Sequence, residues 1–228
     1  MDIYSPNDLI KYFEEHKKPG LDKFHAKLIF TKYNFIGVES KIVHALAKNI
    51  AKEGDAEQFL KIDDKNSFEI VMIKGLVIAY SKLTTFKKQE SLRRFVGFID
   101  NWAINDSVCS RINVKNDMDT WFKFFESLLT GSTYSIRFGL CGFIKFLDDG
   151  HIDKILKWAG SIKSEEYYVR MMQAWLVSDA FIKQRNKTLK FLQDSPLDKF
   201  THNKAIQKIR ESFRVSEEDK NMLVSIKK

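Results

Sequence analysis

Residues 67–82, SFEIVMIKGLVIAYSK, form the strongest apolar run of the sequence and decide the fold class. The run is too short for a membrane span, and Lys74 interrupts it, so we expect a buried helix. Asn66 is a suitable N-cap for this helix, and Glu69 stands three residues later as a capping-box partner. No stretch of the chain alternates cleanly between apolar and polar residues over the length of a strand.

Helical periodicity recurs along almost the whole chain. PNDLIKYFEEH, at 6–16, begins like a helix, and Pro19-Gly20 then breaks the chain. Three serines are predicted N-caps: Ser132, Ser164 and Ser216, the last two with acidic residues following. The further predicted helices span 21–33, 39–53, 55–62, 67–82, 85–100, 102–112, 117–130, 132–148, 151–163, 165–183, 186–193, 199–212 and 217–227.

The pattern therefore indicates an all-α protein. Helices of this length with short connectors favour stacked hairpins of roughly 35–40 residues, as in HEAT-like helical repeats, although self-comparison shows no repeat. A compact irregular bundle is the competing architecture. An α-α solenoid would have a concave face, and basic side chains along that face could follow a phosphate backbone. We predict one domain over 1–228.

Charge points to an anionic partner. The chain has 228 residues and a formal net charge of +8. Residues 183–228 contribute +6 of this, from twelve Lys or Arg against six Asp or Glu. Lys204 and Lys208, with Arg210 and Arg214 nearby, fall on adjacent faces of one predicted helix. They form either a phosphate-binding face or merely a solvated basic end.

Several chemistries lack their motifs. The patterns GxxxxGK[ST], GxGxxG, HExxH and GxSxG do not occur, and the five histidines are scattered. Cys109 and Cys141 show neither metal nor redox spacing, which fits reduced thiols. We expect no metal and no nucleotide cofactor. The beginning, MDIYSPNDLI, has no signal pattern, so a cytoplasmic location is expected.

The stretch NWAIND, 101–106, raises the question of function. Trp102 and Asp106 are one turn apart and can project from one helix face. Trp175 is a second aromatic candidate, and Arg137 is a polar residue ahead of an apolar helix. Each has an ordinary interpretation: the tryptophans as core residues, Arg137 as a surface or paired side chain, and Asp106 as a cap or as the partner of Arg137.

Four segments in order resemble the DNA alkylation repair family, the AlkD-like HEAT-like-repeat alkylpurine DNA glycosylases. The resemblance covers nearly the whole chain. It is weaker at KYNFIGVESKIVHALAK, which is similar to a segment near the family's N-terminus. The four segments are FIDNWAINDSVCS, YSIRFGLCGFIKFL, YYVRMMQAWLVSDAFIK and FTHNKAIQKIRESFRVSEEDK.

The resemblance implies a function and assigns residues to it. Active family members use a WxxxD pair, an Arg before an apolar helix and a later Trp, and these fall on Trp102, Asp106, Arg137 and Trp175. It implies a monomeric all-α superhelix, a HEAT-like α-α solenoid, whose concave basic face holds duplex DNA with alkylated bases and reads the lesion in a largely stacked duplex. The indoles would hold a cationic purine, Asp106 would stabilise charge developing on the sugar, and Arg137 would bind a backbone phosphate. Such a protein would be nucleoid-associated when bound to DNA.

The chain also departs from the pattern. Lys41 and His44 stand where a Pro and an Arg are expected, and Asn101 stands where some active members carry a second aromatic. The family includes paralogs that lack an effective DNA-contacting helix near the N-terminus. In this chain that helix would be 21–33. It could contact DNA through Lys23, Lys27, Lys32 and Tyr33, or pack as an outer helix through Phe24, Leu28, Ile29 and Phe30.

Three hypotheses follow. The first is a monofunctional glycosylase that removes cationic alkylpurines, of the 3-methyladenine and 7-methylguanine type, from duplex DNA. The second is a catalytically weak or inactive DNA-binding paralog. The third is a helical-repeat adaptor that binds other proteins.

Overall fold

The computed structural model describes residues 5–53, 56–62 and 66–228. Within these ranges the β-structure is limited to two isolated bridges, Lys17 to Val38 and Asn34 to Ser67, and the ordered elements are helices. The predicted all-α fold is confirmed. Contacts divide the chain into two compact units, 1–117 and 118–228. The single domain over 1–228 stays a prediction.

The first unit is built around the apolar run at 67–82. Its described helices are α1 (Pro6–Glu15), α2 (Leu21–Leu28), α3 (Ser40–Glu53), α4 (Ala56–Phe59), α5 (Phe68–Tyr80), α6 (Thr85–Val96) and α7 (Trp102–Arg111). Helix α5 packs against α3 on one side and α7 on the other, and all its residues except Lys74 and Tyr80 are buried. None of the described helices combines the length and apolar character needed to cross a bilayer.

The second unit is also built around a central helix. Its helices are α8 (Met118–Ser127), α9 (Thr133–Phe143), which runs into a 3-10 turn (Ile144–Phe146), α10 (Ile152–Ser161), α11 (Tyr167–Lys183), α12 (Arg185–Gln193), α13 (Lys199–Glu211) and α14 (Glu217–Val224). Helix α11 packs against α9 and α13. In both units alternate helices lie side by side, which is the packing of a helical-repeat solenoid and confirms that fold class. The concave basic face stays a prediction.

An aromatic cluster fills the core of the second unit. The ring of Phe125 contacts Phe124, Phe138 and Phe146 at centroid distances of 5.5 to 6.2 Å. Helix α9 approaches this cluster closely because Gly142 has no side chain there. A Cβ at that position would lie 2.2 Å from the Phe125 ring, closer than any carbon–carbon contact allows.

Glu69 has a different partner from the one predicted. Helix α5 begins at Phe68 with Ser67 as its N-cap, so Asn66 lies outside the helix and the predicted capping box is wrong. The carboxylate of Glu69 is buried and accepts backbone N–H groups from Ile36, Gly37 and Val38 at 2.8 to 3.3 Å. It therefore fixes the loop before α3, a long-range contact that the local pattern could not indicate.

The predicted helix 21–33 ends five residues early, at Leu28. Ile29 is extended, and the following residues bond to Asp100 instead: the Thr31 hydroxyl and the Lys32 amide donate to its carboxylate at 2.8 Å. A tertiary contact with the segment before α7 therefore replaces the last turn of the helix.

The other predictions differ mainly at helix ends. Of the helix predicted over 55–62, the structure shows the shorter α4 (Ala56–Phe59). Position 55, the first of the predicted helix, lies outside the described ranges. Ser216 is an N-cap as predicted, since its hydroxyl accepts the Asp219 amide at 3.2 Å. Ser132 occupies the N-cap position without making a side-chain cap bond. Ser164 lies upstream of α11, whose N-cap is Glu166.

Candidate functional site

Asn101 sets the position of the Trp102–Asp106 pair. It is the buried N-cap of α7: its side-chain oxygen accepts the Ile104 amide at 3.0 Å, and its amide donates to Asp100 at 2.8 Å. The same Asp100 carboxylate holds the segment after α2. The residue that departs from the family's second aromatic thus fixes where α7 begins, and with it the face on which Trp102 and Asp106 lie.

Trp102 and Asp106 are both accessible. The indole of Trp102 is 37% exposed, in a helix whose neighbouring positions Ala103 and Ile104 are buried, and Asp106 is half-buried. The core interpretation of Trp102 is therefore wrong. An indole and a carboxylate separated by one turn of α7 form a surface that suits a cation.

Asn105 is a contributor that the sequence analysis missed. Its side chain is fully buried, and its amide donates to Asp106 Oδ1 at 3.0 Å. Its own Oδ1 is buried and has no hydrogen-bond partner among the described residues. The sequence shows Asn105 only as one more polar residue in NWAIND. It does not indicate that this side chain is buried and orients the candidate acid.

Trp175, in the second unit, is also exposed. Its indole is 44% accessible, although the flanking Ala174 and Leu176 of α11 are fully buried. The contrast with Trp121, which is 2% exposed in the aromatic core, shows that the core interpretation is wrong for Trp175 as well.

Arg137 is held by its own unit. Its side chain is 4% exposed, and Nη1 donates to the carbonyl oxygen of Tyr168 at 2.7 Å. The guanidinium carbon also lies 6.0 Å from the centre of the Tyr168 ring. The phosphate contact stays a prediction for Arg137. A phosphate would have to approach a guanidinium that α11 already covers.

The structure separates the two predicted phosphate-binding lysines. Lys204 lines an open cavity of about 700 Å³ together with Arg170, Lys199 and Lys227. The ammonium of Lys208 instead pairs with Glu211 at 2.8 Å.

The wider basic helix face differs from the prediction. Arg214 lies beyond the end of α13, because the chain leaves the helix at Ser212, and it pairs with Asp179 at 3.5 Å. Because Lys208 pairs with Glu211 and Lys204 lines the cavity, Lys204 is the better placed of the two lysines for an external anion.

The N-terminal segment presents apolar side chains to solvent. Phe24, Leu28 and Phe30 are 55%, 57% and 87% exposed, so they do not pack as an outer helix would, and of the four apolar residues only Ile29 is buried. Tyr33 is also buried, and its hydroxyl donates to the Phe98 carbonyl at 2.6 Å, which removes it from the predicted DNA contacts.

His44 changes the charge at a position where active family members are expected to carry Arg. Its Nδ1 lies 2.8 Å from the Tyr80 hydroxyl. Burial, and then the charges of Arg111 and Lys48, lower the pKa of His44 below 6.5. The ring is therefore mostly neutral at pH 7, where an Arg would carry a permanent charge. Lys41 pairs with Glu39 at 2.9 Å.

The four residues predicted to form the lesion site fall two in each unit, Trp102 and Asp106 in the first and Arg137 and Trp175 in the second, and Lys204 and Lys208 also lie in the second. The cradle formed by all four stays a prediction. Among the described residues, no three His, Cys, Asp or Glu side chains are grouped to hold a metal ion.

Comparison with known families matches residues 7–209 to the family described as DNA alkylation repair enzyme. No curated protein matches the chain significantly. The match covers most of the chain and includes α7, α9 and α11, which carry the exposed indoles, the acid and the buried Arg. The chain belongs to the DNA alkylation repair family.

Proposed function

We propose that this protein is a DNA glycosylase that hydrolyses the N-glycosidic bond of cationic alkylated purines in duplex DNA. The observation that carries the proposal is the accessible indole of Trp102 one helical turn from the half-buried carboxylate of Asp106. Membership of a DNA alkylation repair family supports the same role.

The chemistry of the substrate explains why so few residues would suffice. A purine alkylated at N3 or N7 is already positively charged, so it leaves without a strong general acid. An indole face stabilises such a cation by about 0.5–2 kcal/mol per contact. Trp102 would contribute one such face and Trp175 another.

Asp106 would act on the sugar. As the bond from C1′ to the base breaks, positive charge develops on the deoxyribose ring, and a nearby carboxylate stabilises it and orients the attacking water. The hydrogen bond from the Asn105 amide at 3.0 Å holds one oxygen of this carboxylate in place.

Base release is the direct test. The purified protein, in excess, is incubated with duplex DNA containing 7-methylguanine or 3-methyladenine, and free base is measured by chromatography. We expect single-turnover release above the spontaneous rate. Asp106→Asn should slow it by about 100-fold, the usual cost of removing one electrostatic group from an active site.

Asp119→Asn provides the matched control, since it removes the same charge from an exposed position at the start of α8. It should leave the release rate unchanged. The absence of release above background with either lesion contradicts the proposal.

A second function is favoured by His44 and Arg137. A mostly neutral His replaces an expected Arg, and the Arg of the motif is buried. A missing positive charge at position 44, and a guanidinium already bonded to the Tyr168 carbonyl, would weaken binding to the DNA backbone, which fits a DNA-binding paralog with little or no activity. Binding with a steep salt dependence, no preference for the lesion and no base release is the result expected of such a paralog.

A further inference from the structure

A basic pocket with an aromatic wall lies in the second unit. It is an open, solvent-facing cavity of about 700 Å³. The lining side chains come from α11, from α13 with its N-cap and from the segment after α14: Arg170, Asp198, Lys199, Phe200, Asn203, Lys204, Gln207 and Lys227. We call these residues the α13 pocket. None of them belongs to the Trp102–Asp106 pair.

The positive charge of the α13 pocket is only partly compensated. Its one carboxylate, Asp198, accepts the amide and hydroxyl of Thr201 at 3.1 and 2.5 Å and also pairs with Arg170. Partial burial acts to raise the pKa of Asp198, but these hydrogen bonds outweigh it and lower the pKa to about 2. The carboxylate is thus already occupied by Arg170 and by the start of α13.

Three lysines share the pocket with that occupied carboxylate. Lys204 donates to the neutral amide of Gln207 at 2.8 Å. Within the described part of the chain, Lys199 and Lys227 have no carboxylate at ion-pair distance. The charge of Lys204 also acts on Glu211, so Lys199 and Lys227 are the cations best placed to attract an anion from outside the protein.

Aromatic rings beside the cations form one wall of the α13 pocket. The Arg170 guanidinium carbon lies 4.5 Å from the centre of the Phe200 ring, and the Lys204 ammonium lies 5.9 Å from it. The ring of Tyr167, which is largely exposed, is 6.2 Å from Phe200. Arg170 is fixed by Asp198 and by Glu165, so the wall is preorganised.

We propose that the α13 pocket binds a nucleotide unit whose base is unpaired, with the phosphate on the lysines and the base against the Phe200 wall. A duplex backbone needs cations alone, because its base faces are hidden in the stack. An aromatic side chain among cations is instead the combination that binds single-stranded nucleic acid. The unit comes from a single strand or frayed end, or from a free nucleotide. The proposal does not depend on base excision.

Fluorescence polarisation of a labelled octathymidylate, beside a blunt duplex of equal length, tests the proposal. Phe200→Leu should weaken single-strand binding about tenfold, since stacking on an aromatic side chain stabilises a base by about 1–3 kcal/mol. It should leave duplex binding within twofold. Equal weakening of both, or no single-strand binding by the unaltered protein, overturns the proposal.

The lysines are tested separately. Lys199→Gln with Lys227→Gln should lower the slope of log affinity against log salt by about 1.4 for the single strand, which is two phosphate contacts at about 0.7 each. Both lysines are exposed, so this pair of changes keeps a folded protein even if Phe200→Leu does not. Lys157→Gln with Lys190→Gln, on α10 and α12, is the matched control and should leave the slope unchanged. An unchanged slope in the Lys199/Lys227 variant contradicts the proposal.

Competition identifies the ligand. Deoxyadenosine monophosphate should displace the octamer at a lower concentration than inorganic phosphate. Equal potency of the two contradicts the role of the base. If the monophosphate binds as tightly as the octamer by calorimetry, the natural source is a free nucleotide, and if the octamer binds more tightly, it is a strand. The protein can fail to release bases and still give these binding results, and it can release bases without giving them. The two proposals can therefore fail separately.

Discussion

The two units share a packing scheme and differ in the chemistry that they present. In the first, α5 lies between α3 and α7, and the accessible groups of α7 include the Trp102 indole and the Asp106 carboxylate. In the second, α11 lies between α9 and α13, and the accessible groups around α13 include several cations and the Phe200 ring. The scaffold depends on buried apolar positions, so the exposed positions are free to differ, and one repeat architecture presents two kinds of surface.

The largest effect is expected in the first unit, where an acid is used structurally. Glu69→Ala removes the acceptor of three backbone N–H groups and leaves them buried, so we expect a loss of about 3–5 kcal/mol in the free energy of unfolding. Urea denaturation measures it. Glu69→Gln retains one acceptor oxygen and should cost clearly less. Equal costs for the two variants would show that packing, not hydrogen bonding, holds the loop.

The cores of the two units should respond alike to overpacking. Gly75→Ala places a Cβ 2.4 Å from the Phe95 ring, and Gly142→Ala places one 2.2 Å from Phe125. Each substitution should lower the free energy of unfolding by about 2 kcal/mol, because neighbouring side chains must shift. Denaturant titration measures the change. Gly150→Ala, which meets nothing closer than 3.4 Å, is the control and should change little. A neutral result at one of the two helices would mark that unit as the more loosely packed.

High pH should weaken the first unit. Burial, and secondarily the charge of Asp100, raise the pKa of Tyr33 to about 12 from 10.0. The folded state therefore keeps a proton that the unfolded chain loses, and up to about 2 kcal/mol of stability disappears as pH rises from 10 to 12. Denaturation at pH 9 and pH 12 measures the loss. In Tyr33→Phe this part of the pH dependence should vanish, and its persistence would assign the loss to other groups.

Low pH should weaken the second unit. The pKa of Asp198 falls from 3.8 to about 2 on folding, so its contribution is complete above pH 4 and declines as pH drops towards 2. The side chain is partly exposed, so the effect is smaller than that of Tyr33. Asp198→Asn should make acid unfolding less steep in this range. An identical acid transition in the variant would show that Asp198 does not contribute to acid unfolding.

The smallest effect is expected at the exposed segment after α2. Phe30→Ser removes a ring that is 87% exposed, so the free energy of unfolding should change by less than about 0.5 kcal/mol. Duplex binding by the same variant shows whether the exposed apolar segment contacts DNA. A large loss of stability would instead mean that the ring packs against the protein in solution.

The sequence by itself determined the helical class and the order of the helices, and its resemblance to the family proposed Trp102, Asp106, Arg137 and Trp175 for the candidate site. Buried helices follow from periodicity, because apolar spacing is a local property of the chain. The run at 70–80 became the buried α5, and Trp102 and Asp106 share one face because residues four apart on a helix always do.

Only the tertiary structure decided which of these residues are accessible and what they contact. Trp102 and Trp121 are the same residue type in helical patterns, yet one is exposed and the other is core. The local spacing predicts Glu69 as a capping residue, whereas its carboxylate binds a loop about thirty positions away. Burial and long-range hydrogen bonds depend on which helices become neighbours, and local periodicity carries no information about that choice.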